Sequence, residues 1–220
     1  MIRFRASARR PLSVRPLCAR GLLAALGLAV LLPACSVLPR PEPVDTYLLP
    51  SAAAPATGRG ETQAWSLRIA QPAAGGHLAS ARIVVLPEPS RVSVYKGASW
   101  SDPAPVLLRD RLFEAFRTDG RVTALSSDER RLHADFELDS DLRAFQSEYR
   151  DGQPEIVIRL DARLVRPVGR RIVASRHFEL RRAVAGTAVP EVVHAFGIAA
   201  DALSAELVGW VIEEGRAARR

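Results

Sequence analysis

Residues 134–180 read ADFELDSDLRAFQSEYRDGQPEIVIRLDARLVRPVGRRIVASRHFEL, and their alternation decides the fold. In the first segment Ala134, Phe136, Leu138, Leu142 and Ala144 fall on one side of an extended chain, interrupted only by Ser140. Asp135, Glu137, Asp139, Asp141 and Arg143 fall on the other. Successive side chains of a strand point to opposite faces, so the pattern predicts a strand with one packed and one wet face. Ile156, Ile158, Leu160, Ala162 and Leu164 repeat the pattern opposite Glu155, Arg159, Asp161 and Arg163, and Ile172, Ala174, Phe178 and Leu180 make a third strand. Asp151-Gly152 and Pro167–Arg170 lie between the three and suit hairpin turns. The reading is an antiparallel meander.

Working outward, shorter strand signals precede the meander: Thr46–Leu49, the alternating Trp65, Leu67 and Ile69, the run Ile83–Leu86, and Val92 with Val94 before Tyr95. Two helices are marked. Ser101-Asp102-Pro103 supplies a capping residue and a proline for the first turn, Leu108, Leu112, Ala115 and Phe116 form a stripe, and Gly120 follows as a stop. The second helix is expected from about Pro190 to Glu214, with Val192, Val193, Phe196, Ala200, Leu203, Leu207, Trp210 and Val211 on one face and Gly215 ending it. Residues 51–61 and 71–80, rich in Ala, Gly and Pro, read as loops. The predicted fold is α/β, a layered sandwich with a largely antiparallel mixed sheet and two main helices, occupying residues 46–215. Trp65, Trp100 and Trp210 read as packing residues.

The 220 residues carry 31 Lys+Arg against 24 Asp+Glu, a net charge of +7. That sum misleads. Residues 1–34 hold six arginines and no acid, leaving +1 from Cys35 onward, and Arg216, Arg219 and Arg220 form a basic tail at 216–220. A near-neutral domain with 6% aromatics offers no basic, aromatic-interleaved surface for nucleic acid.

The arginine-rich start is followed by the apolar run Gly21–Leu32 and then Pro33-Ala34-Cys35, which is the layout of an export signal. The run is shorter than the roughly 20 residues a bilayer core requires, which disfavours a transmembrane helix. Leu32-Pro33-Ala34-Cys35 resembles a bacterial lipobox, with an aliphatic residue three before the cysteine and a small one directly before it; Pro33 departs from the usual small residue. Residues 1–34 are therefore expected to be a lipoprotein signal peptide and Cys35 the lipid attachment site, with ordinary secretory cleavage as the alternative. The chain has two Cys, and Cys18 lies in the segment to be removed, so no internal disulfide is available to the mature protein. Multiple acyl chains on Cys35 would both mask its thiol and anchor it stably. Residues 35–45, with Pro39, Pro41 and Pro43, read as a semi-rigid tether, extending about 3.1 Å per residue in polyproline II. Ser36 after the cysteine points to the outer membrane by the sorting rule of enteric bacteria.

Catalytic patterns are missing. His77, His133, His177 and His194 form no HExxH spacing, no CxxC exists, and no Gly-rich phosphate loop or G-x-S-x-G elbow occurs. The acidic run Asp135, Glu137, Asp139 and Asp141 would suit a cation or acid–base chemistry, but Arg159, Arg163, Arg181 and Arg182 on the neighbouring strands are placed to answer it as a solvated charged face. The expectation is no enzyme, no metal and no cofactor.

Several pieces in order carry a family resemblance: Tyr47-Leu48-Leu49 after the tether, Ser66–Ile69 followed by Ala81–Val85, Ser99–Pro103 leading into Leu107–Leu112, Leu138–Phe145, Val173–Phe178, and the helix ending Gly209-Trp210-Val211. In these the chain resembles the ABC-type transport auxiliary lipoproteins, a family that includes the lipoprotein of the paraquat-inducible intermembrane transport system. It departs at Pro72–Leu78, where many members carry a Pro-x-Tyr-Leu segment. The resemblance implies a three-layer α/β sandwich and a lipid-anchored, periplasm-facing accessory domain at the outer membrane. It also implies partnership with an ABC permease and an MCE-domain protein that move lipid between membranes, and it leaves a homo-oligomer open. A lipid carrier with its own acyl groove and a scaffold of another cell-envelope complex, such as an activator of wall synthesis, are the competing readings.

Overall fold

The computed structural model describes residues 43–51, 60–130 and 132–219. The signal peptide, Cys35, most of the tether and much of the first loop lie outside these. Strand β7 (Phe136–Arg150) organises the sheet. One of its edges pairs antiparallel with β8 (Gln153–Arg166), and β8 with β9 (Arg171–Ala183). Its other edge is shared by three short parallel strands in succession. These are β2 (Gln63–Ile69) beside Phe136–Leu138, β3 (Ala73–Ala74) beside Asp141 and Leu142, and β4 (Arg82–Glu88) beside Ser147 and Glu148. From β2 the sheet continues to β6 (Val122–Ser127), and from β4 to β5 (Arg91–Trp100) and β1 (Asp45–Tyr47). Helices α1 (Ala104–Asp119) and α2 (Val189–Ala217) pack against the sheet and each other. The mixed α/β architecture is thus the one expected from the sequence.

The meander forms because its turns and its periodicity agree. Asp151 and Gly152 both take positive φ, 52° and 77°, which is the mirror-image two-residue turn that matches strand twist. Inward residues Leu138, Leu142, Ile158, Leu160, Leu164 and Phe178 are at most 2% exposed. Trp100, Phe145 and Phe196 interlock, with Phe145 stacked on Phe196 at 4.9 Å and Trp100 edge-on to Phe196 at 5.2 Å. Trp65 meets Phe136 and Trp210 meets Phe178, both edge-on, so all three tryptophans pack as anticipated. By length and composition α2 could cross a membrane, but two-thirds of its most apolar window is buried in this fold.

Four details differ from the sequence reading. A bulge at Arg143 breaks the register between Leu142 and Ala144. Arg143 is thrown outward, Ala144 moves to the outer face opposite Arg159, and Phe145 and Ser147 turn inward, because one inserted residue reverses every later side chain. Helix α1 is capped by Pro103 without a side-chain bond, since β5 runs on through Trp100; Pro105, not Pro103, occupies the first turn. Gly120 does end α1, its N–H donating to Phe116 O at 3.1 Å. Gly215 does not end α2, which continues to Ala217. A Cβ there would stand 2.6 Å from Trp65 Cζ2, so this glycine admits an indole. At the other end of α2 the Glu191 carboxylate accepts from the Ala188 N–H at 3.0 Å, half of a capping box, since Ala188 has no side-chain oxygen to return.

Strands β3 and β6 carried no sequence signal: one is a residue pair inside a Gly-rich stretch, the other has Val122 as its deeply buried anchor amid Thr and Ser. The outer side of the meander is open to solvent at Arg143, Asp161 and His177.

Candidate functional site

The chain enters the fold through a joint at residues 43–50. Asp45, Thr46 and Tyr47 pair in parallel with Ala98, Ser99 and Trp100, and the Ser101 N–H donates to Tyr47 O at 2.9 Å. Two residues later Arg111 Nη2 donates to the carbonyls of Leu49 and Pro50, 2.8 Å each. The same guanidinium forms an ion pair with Asp201 of α2, both side chains only about a tenth exposed. Arg111 therefore ties the incoming segment, α1 and α2 together; its planar fork with several donors suits this where a lysine would not. Opposite, Gly197 lets the Pro50 carbonyl cross α2, for a Cβ there would sit 2.4 Å from that oxygen. Val44 and Leu48 are exposed beside this entry.

Sequence reasoning missed Asp201 and Gly197 and met Arg111 only within a resembling segment. The signals existed: a lone glycine inside a helix costs roughly 1 kcal/mol against alanine, and a lone aspartate among Ala199, Ala200 and Ala202 needs a partner.

The acidic run resolves into pairs. Arg163 donates to Asp139 at 2.7 Å and to Asp141 at 2.8 Å, and Arg143 to Asp161 at 2.8 Å. Glu137 is answered by Arg68 of β2, which the sequence did not suggest, and Asp135 accepts from the Ser66 N–H and hydroxyl, 2.8 Å each. Those two Ser66 bonds hold the Asp135 carboxyl below the usual range. Asp161 is likewise depressed, by the His177 hydrogen bond first and Arg143 second. Arg159 and Arg181 serve Glu148, Glu155 and Glu179 farther up the sheet. Arg182 departs from expectation: it pairs with Ile156 on the inner side and takes no part in this lattice.

The histidines do not converge, and no three His, Cys, Asp or Glu gather as a metal site among the described residues. Tyr95 donates to the Ser147 hydroxyl at 3.1 Å, and burial pushes its phenol up to about 12, so it acts as a packing donor. Cys35 lies outside the described residues.

The described residues form an α/β domain held at its entry by Arg111, with paired charges across one face of the sheet. Its sequence matches the family described as ABC-type transport auxiliary lipoprotein component over residues 47–208, and the chain belongs to that family. This family is one of transport lipoproteins and not a known enzyme family.

An uncharacterised protein of Bradyrhizobium diazoefficiens is 29% identical over 152 residues, 69% of this chain. Those residues make up 41% of that relative, so the chain spans about two-fifths of its length. The crystal structure of XCC0632 from Xanthomonas campestris, of family DUF330, superposes with a TM-score of 0.73 at 32% identity, covering 80% of this chain and 99% of that one. A second uncharacterised crystal structure, at 19% identity and TM-score 0.61 over 77% of this chain and 99% of its own, shares the fold.

Proposed function

We propose that this protein is the lipid-anchored accessory component of an ABC transporter of the MCE type, which moves lipid across the cell envelope. It is acylated at Cys35, held at the outer membrane facing the periplasm, and docks the MCE-domain protein and its ABC permease. The observation that carries the reading is the family match across residues 47–208, which begins at the joint where the tether becomes part of the fold. Rigid closure of that joint by Arg111 supports a module whose orientation on its tether matters, as docking requires. Dense aromatic packing under the sheet supports docking over carriage of an acyl chain in the core.

Cross-linking in intact membranes followed by identification of partners tests the reading. Recovery of an MCE-domain protein and a permease is expected, together with transfer of the Cys35→Ser protein out of the membrane fraction. Recovery of wall-synthesis enzymes instead would assign the domain to another envelope complex. Lipid extracted in stoichiometric amount from the purified protein would make it a carrier.

A further inference from the structure

We infer that the β8–β9 hairpin tip is a contact site for an anionic lipid surface, separate from the lipid anchor and beyond the docking role proposed above. The turn Pro167-Val168-Gly169-Arg170 leaves Val168 90% exposed, and Ile172 at the start of β9 is 55% exposed. Around these aliphatic groups stand Arg166, Arg170, Arg171 and Arg219.

Arginines elsewhere on this sheet are answered by carboxylates, whereas the guanidinium groups of Arg170 and Arg171 have neither an ion-pair nor a hydrogen-bond partner among the described residues. Arg166 is spent on the Ala218 carbonyl at the end of α2 and on the Phe136 ring. Arg219 donates to the Ala64 carbonyl at 3.3 Å and approaches Asp135 at 4.0 Å. Two carboxylates, Asp135 and Glu214, line the same clefts, so the four arginines keep an excess of positive charge.

Arg166 and Arg171 are moreover direct cross-strand partners. Like charges in that position oppose pairing, and although Arg166 is held by Ala218 and Phe136, the guanidinium of Arg171 has no partner among the described residues that explains its placement.

Protruding aliphatic groups beside the unanswered guanidinium groups of Arg170 and Arg171 fit a bilayer interface, where the aliphatics enter the headgroup boundary and the arginines meet phosphates. An acidic protein surface would satisfy the charge but leave Val168 and Ile172 without a role. The tip also lies away from strand β1. Strand β1 pairs with Ala98–Trp100 of β5, opposite Arg82 of β4, a few residues before the Val85–Ser147 pairing, whereas the tip lies beyond Phe136. Counted along β7 at about 3.3 Å per residue, the two are roughly 25 Å apart.

The test uses the full processed protein carrying Val168→Cys labelled with an environment-sensitive fluorophore. It is reconstituted in vesicles of phosphatidylcholine alone or with 30% phosphatidylglycerol. A blue-shifted, brighter emission is expected only with phosphatidylglycerol and should reverse in high salt. A second label at Val92→Cys, near the start of β5 beside the β4–β5 turn, should not respond. Arg170→Asn with Arg171→Gln, the first chosen because Asn tolerates the positive φ of 50° at that position, should weaken the response about 25-fold, from about fivefold per arginine. Unchanged near-UV dichroism of that variant checks folding. Emission indifferent to phosphatidylglycerol overturns the proposal, as does an equal response at Val92→Cys; a response to the transporter's periplasmic part alone would give the tip to an acidic protein instead.

Discussion

The two sides of the β7–β8–β9 meander share one set of backbone hydrogen bonds and differ only in what their side chains do. On the inner side Leu160, Leu164, Ile158 and Phe196 are fully buried, and aromatic rings meet at 4.9 to 6.0 Å. On the outer side Arg163 bridges two aspartates of β7 from β8, Arg143 and His177 converge on Asp161, and Arg181 spans Glu155 and Glu179, with side chains a quarter to three-fifths exposed. Burial is non-directional and supplies most of the free energy. The ion pairs are screened by water and contribute little each, yet their cross-strand geometry is sensitive to register. The inner side holds the sheet together; the outer side records which residue lies opposite which.

The sharpest way to break this division is to exchange the expected costs. Phe196→Ala, which empties the space between Trp100 and Phe145, is expected to destabilise the domain by about 3–5 kcal/mol in urea unfolding. Next, Arg111→Ala leaves Asp201 almost buried without its guanidinium and frees the Leu49 and Pro50 carbonyls. A loss of about 3 kcal/mol is expected, with part regained in the double variant Arg111→Ala/Asp201→Ala, because the carboxylate that Arg111 compensated is then gone. Smaller again, Arg163→Ala on the outer side should cost about 0.5–1 kcal/mol, less in high salt. An Arg163 effect matching that of Phe196 would mean that the outer lattice carries stability after all.

The same contrast explains what could be read from the chain. The inner stripe and the opposing charges were legible because both repeat every second residue within one stretch, and the Asp151-Gly152 turn fixed their pairing. Where local periodicity stopped, so did the reading. The Arg143 bulge is invisible in an alternating pattern, since both phases contain apolar residues around Ala144 and Phe145. Arg68 meets Glu137, 69 positions away, only because β2 lies parallel to β7, and nothing in either segment announces that pairing. The Arg111–Asp201 joint likewise depends on how two helices cross. Gly215 read as a helix stop and is instead a packing site inside α2, because a glycine near a helix end carries both meanings until the indole of Trp65 is in place.

Acid offers the finest test of the two sides. Asp161, held low by His177 and then Arg143, Asp135, held low by Ser66, and Glu179, held low by Arg181, all have folded pKa values below their unfolded ones. Between those values the unfolded chain binds more protons than the folded one. Their contribution is therefore fully present above the ordinary carboxylate range near 4 and is lost as pH falls through the depressed folded values. From these groups the melting temperature should be flat between pH 7 and 5.5 and decline below about 4. Asp161→Asn should lower it slightly at neutral pH and converge with the parent protein as pH falls through the depressed Asp161 value, where the parent carboxyl also loses its charge. Phe196→Ala should keep its deficit at both ends, since apolar burial carries no proton. Parallel curves for Asp161→Asn and the parent across the whole range would show that the outer lattice does not depend on charge.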